Sequence, residues 1–130
     1  MPERGRTVSL EIPAEAEYVA VLRAAASVIA TRLDFSLDEI DDLRILVDEA
    51  ASLLIVAGAQ GNLHCAIDAD GDSIALSLSG DLPAGASVAS DGFAWSIVRA
   101  LAHHVASHAS GTEHTIAVTR RRGPVLHPAS

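Results

Sequence analysis

The stretch SLDEIDDLRILVDEAASLL, Ser36–Leu54, decides the fold. Ser36 with Glu39 three residues on is a capping box, in which the hydroxyl and the carboxylate each satisfy a backbone donor at the start of a helix. Acids crowd the first turns, where the helix dipole favours negative charge. Leu37, Ile40, Leu43, Val47, Ala50 and Leu54 then recur three or four apart and form one apolar face, which continues until Gly58 and Gly61 stop it. A helix of this length with one apolar stripe needs a layer to lie on.

That layer is found by working outward. Upstream, Thr7 to Ile12 alternates Val8, Leu10 and Ile12 with polar neighbours, the period of a half-buried strand, and Pro13 ends it. Glu15 to Leu33 carries Val19, Leu22, Ala26, Ile29 and Leu33 at helical spacing, and Asp34-Phe35 interrupts it before the capping box. Downstream, Asn62 to Asp68 and Ser73 to Ser79 read as strands joined through Asp70-Gly71, a strong hairpin signal. Gly80 to Ser90 lacks periodicity and reads as a long loop, of the kind that is usually functional or mobile. A third helix is expected from about Gly92 to Ala106, with Phe93, Ile97, Leu101 and Val105 along one stripe, and a last strand from Thr112 to Thr119. The order predicts an α+β two-layer sandwich: an antiparallel or mixed four-stranded sheet with three helices on one face. Residues 1–6 read as an arm, 7–120 as one domain and 121–130 as a disordered tail.

Composition narrows the chemistry. The 130 residues carry 17 acidic and 9 basic side chains, a net charge of -8. Every basic residue is arginine, and Asn62 is the sole asparagine. Without lysine there is no Walker A loop, no third-strand lysine of the eukaryotic-type protein kinases and no Schiff base. The acidic balance argues against a nucleic-acid surface, which needs clustered Lys and Arg, and Arg120-Arg121-Arg122 reads as a solvated end. The single cysteine, Cys65, cannot make an internal disulfide and reads as a buried thiol in a reducing compartment. Neither a signal peptide nor a run of about 20 apolar residues is seen, so the expectation is a cytoplasmic protein with no membrane partner.

Leu10-Glu11-Ile12-Pro13-Ala14, Leu22-Arg23 and above all Leu33 to Ala50 resemble the anti-sigma factors of the serine-kinase type, members of the GHKL superfamily with the Bergerat fold. Phe93-Ala94-Trp95-Ser96-Ile97-Val98-Arg99-Ala100-Leu101-Ala102 resembles the third-helix segment of the actinobacterial anti-sigma F branch. The resemblance spans about Val8 to Arg120. It implies a second-helix glutamate that polarises the substrate serine and, four residues later, an asparagine that helps hold magnesium on ATP. Glu49 stands at the first position and Leu53 at the second. An isobutyl group cannot ligate a hard cation. The family's Asp-x-Gly-x-Gly turn corresponds to Gly80-Asp81-Leu82-Pro83-Ala84-Gly85, with Asp81 displaced by one residue, and of its Gly-x-Gly helix start only Gly92 remains. Glu49, Asp81 and Gly92 are therefore the nucleotide candidates, in a site whose motifs are eroded together.

The same resemblance implies two protein partners, a sigma factor and an anti-anti-sigma protein, bound around the first helix, and a homodimer is compatible with it. Arg23, 26 residues before Glu49, matches the family's partner-contacting arginine; its guanidinium can fork onto a carboxylate. Asp38, Asp41 and Asp42 are candidates to steer a basic sigma factor, with Asp34 beside them. Trp95, the sole tryptophan, is an anchor candidate. His104 and His108 lie four apart at the end of the expected helix, next to His103, but no third ligand accompanies them and no metal is expected. The leading expectation is a non-enzymatic, or nearly non-enzymatic, anti-sigma factor without a cofactor, which sequesters its sigma factor by protein contact and is released by its antagonist. The alternative is a serine kinase of that antagonist using ATP and magnesium, with Glu49 as base; a third reading is a scaffold subunit.

Overall fold

The computed structural model describes residues 6–126. Its elements are β1 (Arg6–Pro13), a single 3-10 turn (Ala16–Tyr18), α1 (Val19–Arg32), α2 (Leu37–Val56), β2 (Gln60–Asp70), β3 (Ser73–Asp81), α3 (Phe93–Leu101), β4 (His104–Ser110) and β5 (Glu113–Arg121). The sheet is five-stranded, not four-stranded, and wholly antiparallel in the order β1-β2-β3-β5-β4. The helices lie on one face of it, as expected.

The capping box is formed: the Ser36 hydroxyl accepts from the Glu39 N–H at 3.1 Å, and Glu39 accepts from the Ser36 N–H at 2.7 Å. Asp34 takes a left-handed conformation (φ 59°), which lets the chain reverse between α1 and α2 while Phe35 is buried. Leu43, Leu46, Val47, Ala50 and Leu54 of α2 are fully buried beside Leu22, Ala26 and Ala30 of α1. The sheet contributes alternate residues: Leu63, Cys65 and Ile67 from β2, Ile74, Leu76 and Leu78 from β3, Ile116 and Val118 from β5. One further row, Ser9–Ala66–Ser77–Ala117–Ala106, crosses all five strands on the other face.

The third helix ends at Leu101, five residues earlier than the spacing predicts, and the following residues form β4. Leu101 and Val105 are four apart, which mimics a helical stripe, yet Val105 instead faces Val118 across the sheet. Strand pairing overrides local preference in so weakly biased a run. Gly111, at φ 63°, makes the two-residue turn into β5, whose pairing opposes Ser110 to Glu113. His104 and His108 thus sit on an extended strand, roughly 13 Å apart at about 3.3 Å per residue, and cannot share a metal. Among the described residues no cluster of His, Cys, Asp and Glu could hold one.

The segment after β5 is also ordered by contacts. Arg120 points inward with Ile116 and Val118 and is 3% exposed. Its Nη2 meets Asp42 Oδ2 at 3.1 Å, and its Nη1 donates to the carbonyls of Gly123 (2.9 Å) and Arg121 (3.3 Å). Glu39 accepts from the Gly123 N–H, Arg122 N–H donates to Asp72 O at 2.9 Å, and His103 Nε2 meets Pro124 O at 3.1 Å. Arg121 to Pro124 are therefore held by contacts with α2, Asp72 and His103; residues 127–130 of the expected tail and 1–5 of the arm lie outside the described residues.

Candidate functional site

The second half of α2, the loop after β3 and the start of α3 enclose a recess of about 350 Å³. Leu53 and Val56 come from α2 and Ala57 caps its end, Ala89 comes from the loop, and Gly92, Phe93 and Ala94 from the cap and first residues of α3. Leu53 is buried one turn beyond Glu49, which places its isobutyl group at the wall, whereas Val56 and Phe93 are 82% and 81% exposed at the rim. The polar side chains in the lining are those of Ser52 and Ser87. Two hydroxyls and no carboxylate or amide make a poor cradle for magnesium, which demands near-octahedral oxygen ligands.

Of the three nucleotide candidates, Gly92 alone lines the recess. Gly92 lines the recess as the N-cap of α3, with extended backbone (φ -91°, ψ 179°) and no side-chain cap. Glu49 is half-buried on α2 outside the lining, and Asp81 ends β3 with its carboxylate accepting from the Thr112 hydroxyl. The side chains that line the recess do not supply the oxygen ligands that magnesium on ATP would need there. Asn62, on β2, donates instead to Glu11 at 2.6 Å.

The partner candidates are spread over α1, α2 and α3. Arg23 projects from α1 to α2 and meets Asp48 Oδ1 at 2.6 Å, both side chains partly exposed. Asp38 and Asp41 are exposed in the first turns of α2, Asp41 facing Arg44 at 4.0 Å. Asp42 is committed to Arg120, so it is a structural carboxylate. Trp95 is half-buried against the core beside a separate cleft.

A larger groove, about 940 Å³, escaped the sequence. It runs between β1, the β2–β3 turn and the outer side of α1, with Val8, Ala25, Val28, Ile29 and Leu33 as its apolar floor and Arg6, Arg32 and Asp70 at its rim. Val28 is 58% exposed and Val21, one helical face along, 48%. Apolar residues at 21, 25 and 28 were the available signal: a second helical stripe on α1 that flanks the one facing the core and meets it at Ile29.

Comparison with known proteins follows this geometry. No family model matches the chain. Over 55 residues it is 38% identical to the serine-protein kinase RsbW of Bacillus thuringiensis (strain Al Hakam), a stretch covering 42% of this chain and 34% of that kinase. The same figures hold for serine-protein kinase RsbW of Bacillus cereus (strain B4264) and of Bacillus anthracis (strain CDC 684 / NRRL 3495). The chain thus matches about a third of the length of these relatives. In three dimensions it superposes on the crystal structure of the RsbU and RsbW domains of Rv1364c from Mycobacterium tuberculosis with a TM-score of 0.68 at 12% identity, covering 96% of this chain and 35% of that one. The fold is shared across the whole domain, and the sequence similarity to RsbW is partial.

Proposed function

We propose that this chain, similar to RsbW in part of its sequence and sharing the fold of an RsbW-containing structure, is an anti-sigma factor that works by protein contact alone. It holds a sigma factor against the α1–α2 layer and releases it when an anti-anti-sigma protein competes for that layer. The observation that carries this reading is the recess beside α2, apolar at Leu53, Val56 and Phe93 where nucleotide chemistry would need oxygen ligands. Partner recognition has what it requires. Arg23 carries a guanidinium that can exchange Asp48 for a partner carboxylate, a geometry suited to interface hot spots. The exposed Asp38 and Asp41 attract a basic surface and speed encounter, and the α1 groove offers apolar area for an anchor side chain. We place the protein in the cytoplasm, where sigma factors act; among the described residues no helix is long and apolar enough to cross a membrane.

The alternative is a serine kinase of the antagonist, favoured by the 38% identity to proteins named as such and by the presence of Glu49. Titration with ATP, with and without magnesium, separates the two. The contact-only reading expects no saturable binding and a sigma factor that copurifies with Glu49→Ala but not with Arg23→Ala. Magnesium-dependent binding with phosphate transfer lost in Glu49→Ala would establish the kinase, and indifference to both substitutions with no captured sigma factor would leave a scaffold.

A further inference from the structure

A cleft of about 440 Å³ opens between α3 and the first residues of β4 and shares no lining residue with the recess or the groove above. Trp95, Arg99, Ala102, His103, His104 and Val105 line it. In a chain of net charge -8, this lining holds no carboxylate and three residues that are or can become cationic. We propose that this cleft is a binding site for an organic phosphate, a phosphomonoester whose oxygens meet Arg99 and His104 while its apolar body packs on Trp95.

The placement follows from the sequence. Trp95 and Arg99 are four residues apart on α3 and so lie on one side of that helix, a turn apart. The Trp95 ring is half-buried against the core, which fixes it as a wall, whereas Arg99 is exposed and has no hydrogen bond or ion pair among the described residues. His104 begins β4 and is exposed. His103 is not a ligand: its Nδ1 accepts from the Arg121 N–H at 3.1 Å, which leaves the ring proton on Nε2, facing Pro124 O at 3.1 Å. It is instead a fixed back wall, and it senses the local potential. Burial first, then the charges of Arg121, Arg120 and His104, hold its pKa below the usual histidine range, against the opposing effect of Pro124 O.

The charge balance selects a dianion over a carboxylate. Arg99 lies in the cleft and Arg121 adds field from β5, whereas the charge of Arg120 is offset by Asp42; neither Arg99 nor Arg121 has a carboxylate partner among the described residues. The carbonyl end of α3 opposes an anion with about half a charge at most, less than Arg99 alone supplies. A guanidinium fork matches phosphate oxygens in pairs. The indole gives the cleft an apolar wall, and Ala102 is its smallest lining residue.

Because Trp95 is the sole tryptophan, its fluorescence reports occupancy directly. The intact chain is titrated with phenyl phosphate, inorganic phosphate, benzoate and a short peptide bearing phosphoserine, each against sodium chloride of equal ionic strength, with phosphorus NMR line widths as a second readout. The expected result is saturable binding of phenyl phosphate, tighter than inorganic phosphate or benzoate, weakened roughly ten- to a hundredfold in Arg99→Ala, the size of a lost charge-assisted bond. Arg99→Lys should fall between. Tighter binding of the phosphopeptide than of phenyl phosphate would assign the phosphate to a modified protein partner, and the reverse order to a free metabolite; both support the site. Benzoate binding as tightly as phenyl phosphate, titrations indistinguishable from sodium chloride, or an unchanged affinity in Arg99→Ala would overturn it. Arg99 is exposed and unpaired, so its replacement leaves the fold intact, which the melting temperature checks.

Discussion

Replacing Asp42 by alanine should lower stability by about 2–3 kcal/mol, much more than a substitution on the rim of a helix ordinarily does. Arg120 is almost wholly removed from water, and its charge is answered by Asp42 at 3.1 Å and by two carbonyls, while Nε is buried with no partner. Removing the carboxylate leaves a buried cation answered only by the two carbonyls and, at longer range, by the charge of Glu39. Breaking a fully buried pair costs about 3–5 kcal/mol. The Asp42 side chain is 35% exposed, so solvent already screens the pair and the value falls below that range. At about 3–5 °C per kcal/mol for a domain of this size, the melting temperature drops by roughly 10 °C. Adding Arg120→Met removes the charge that Asp42→Ala strands, and its apolar chain fills the same space, so the double variant should recover part of the loss. Urea unfolding and thermal melts of wild type, both single variants and the double complete the cycle. A change in Asp42→Ala below about 0.5 kcal/mol, the scale of ordinary surface substitutions, or a double variant less stable than Asp42→Ala, would refute the reasoning.

Other outcomes follow from the same packing. Glu39 accepts from the N–H groups of Gly123 and Ser36, which together with Arg120 hold its carboxyl below the usual carboxylate range; its stabilising contribution is therefore complete above the unfolded pKa and lost as pH falls through the lower folded value. Glu39→Gln should then be less stable than wild type at neutral pH by about 1 kcal/mol, the size of a lost cap, with the gap closing in acid, as melts across pH will measure. Burial pushes the Cys65 thiol up to about 12, so a thiol reagent should label the native chain only at the rate of unfolding and the urea-unfolded chain at once. Arg23→Ala should change the melting temperature little, because a partly exposed pair contributes about 0–1 kcal/mol, which makes it a clean probe of partner binding.

What could be read in advance was what local rules encode. The capping box, the period of α2 and the Asp70-Gly71 turn each satisfy their own backbone donors or φ angles, so they hold whatever surrounds them. β4 was hidden because His104–Ser110 is small and weakly biased, and only its partner β5 makes it a strand. Arg120 was hidden by company: in Arg120-Arg121-Arg122 it resembles a solvated end, although its alternation with Ile116 and Val118 already put it on the inner face. The same contrast marks the candidate site. Leu53 lies where a one-turn spacing on α2 places it, in the wall of the recess. The α1 groove and the Trp95–Arg99 cleft arise where separate elements meet, and no spacing within one element reveals them.

The central claim, capture of a sigma factor by contact without nucleotide, is tested most directly by equilibrium binding between the purified chain and the sigma factor that copurifies with it, with and without ATP and magnesium. The account predicts affinities equal within about twofold, less than 0.5 kcal/mol, and a large loss in Arg23→Ala in both conditions. Binding that requires magnesium and ATP, or that survives Arg23→Ala while failing in Glu49→Ala, would contradict it.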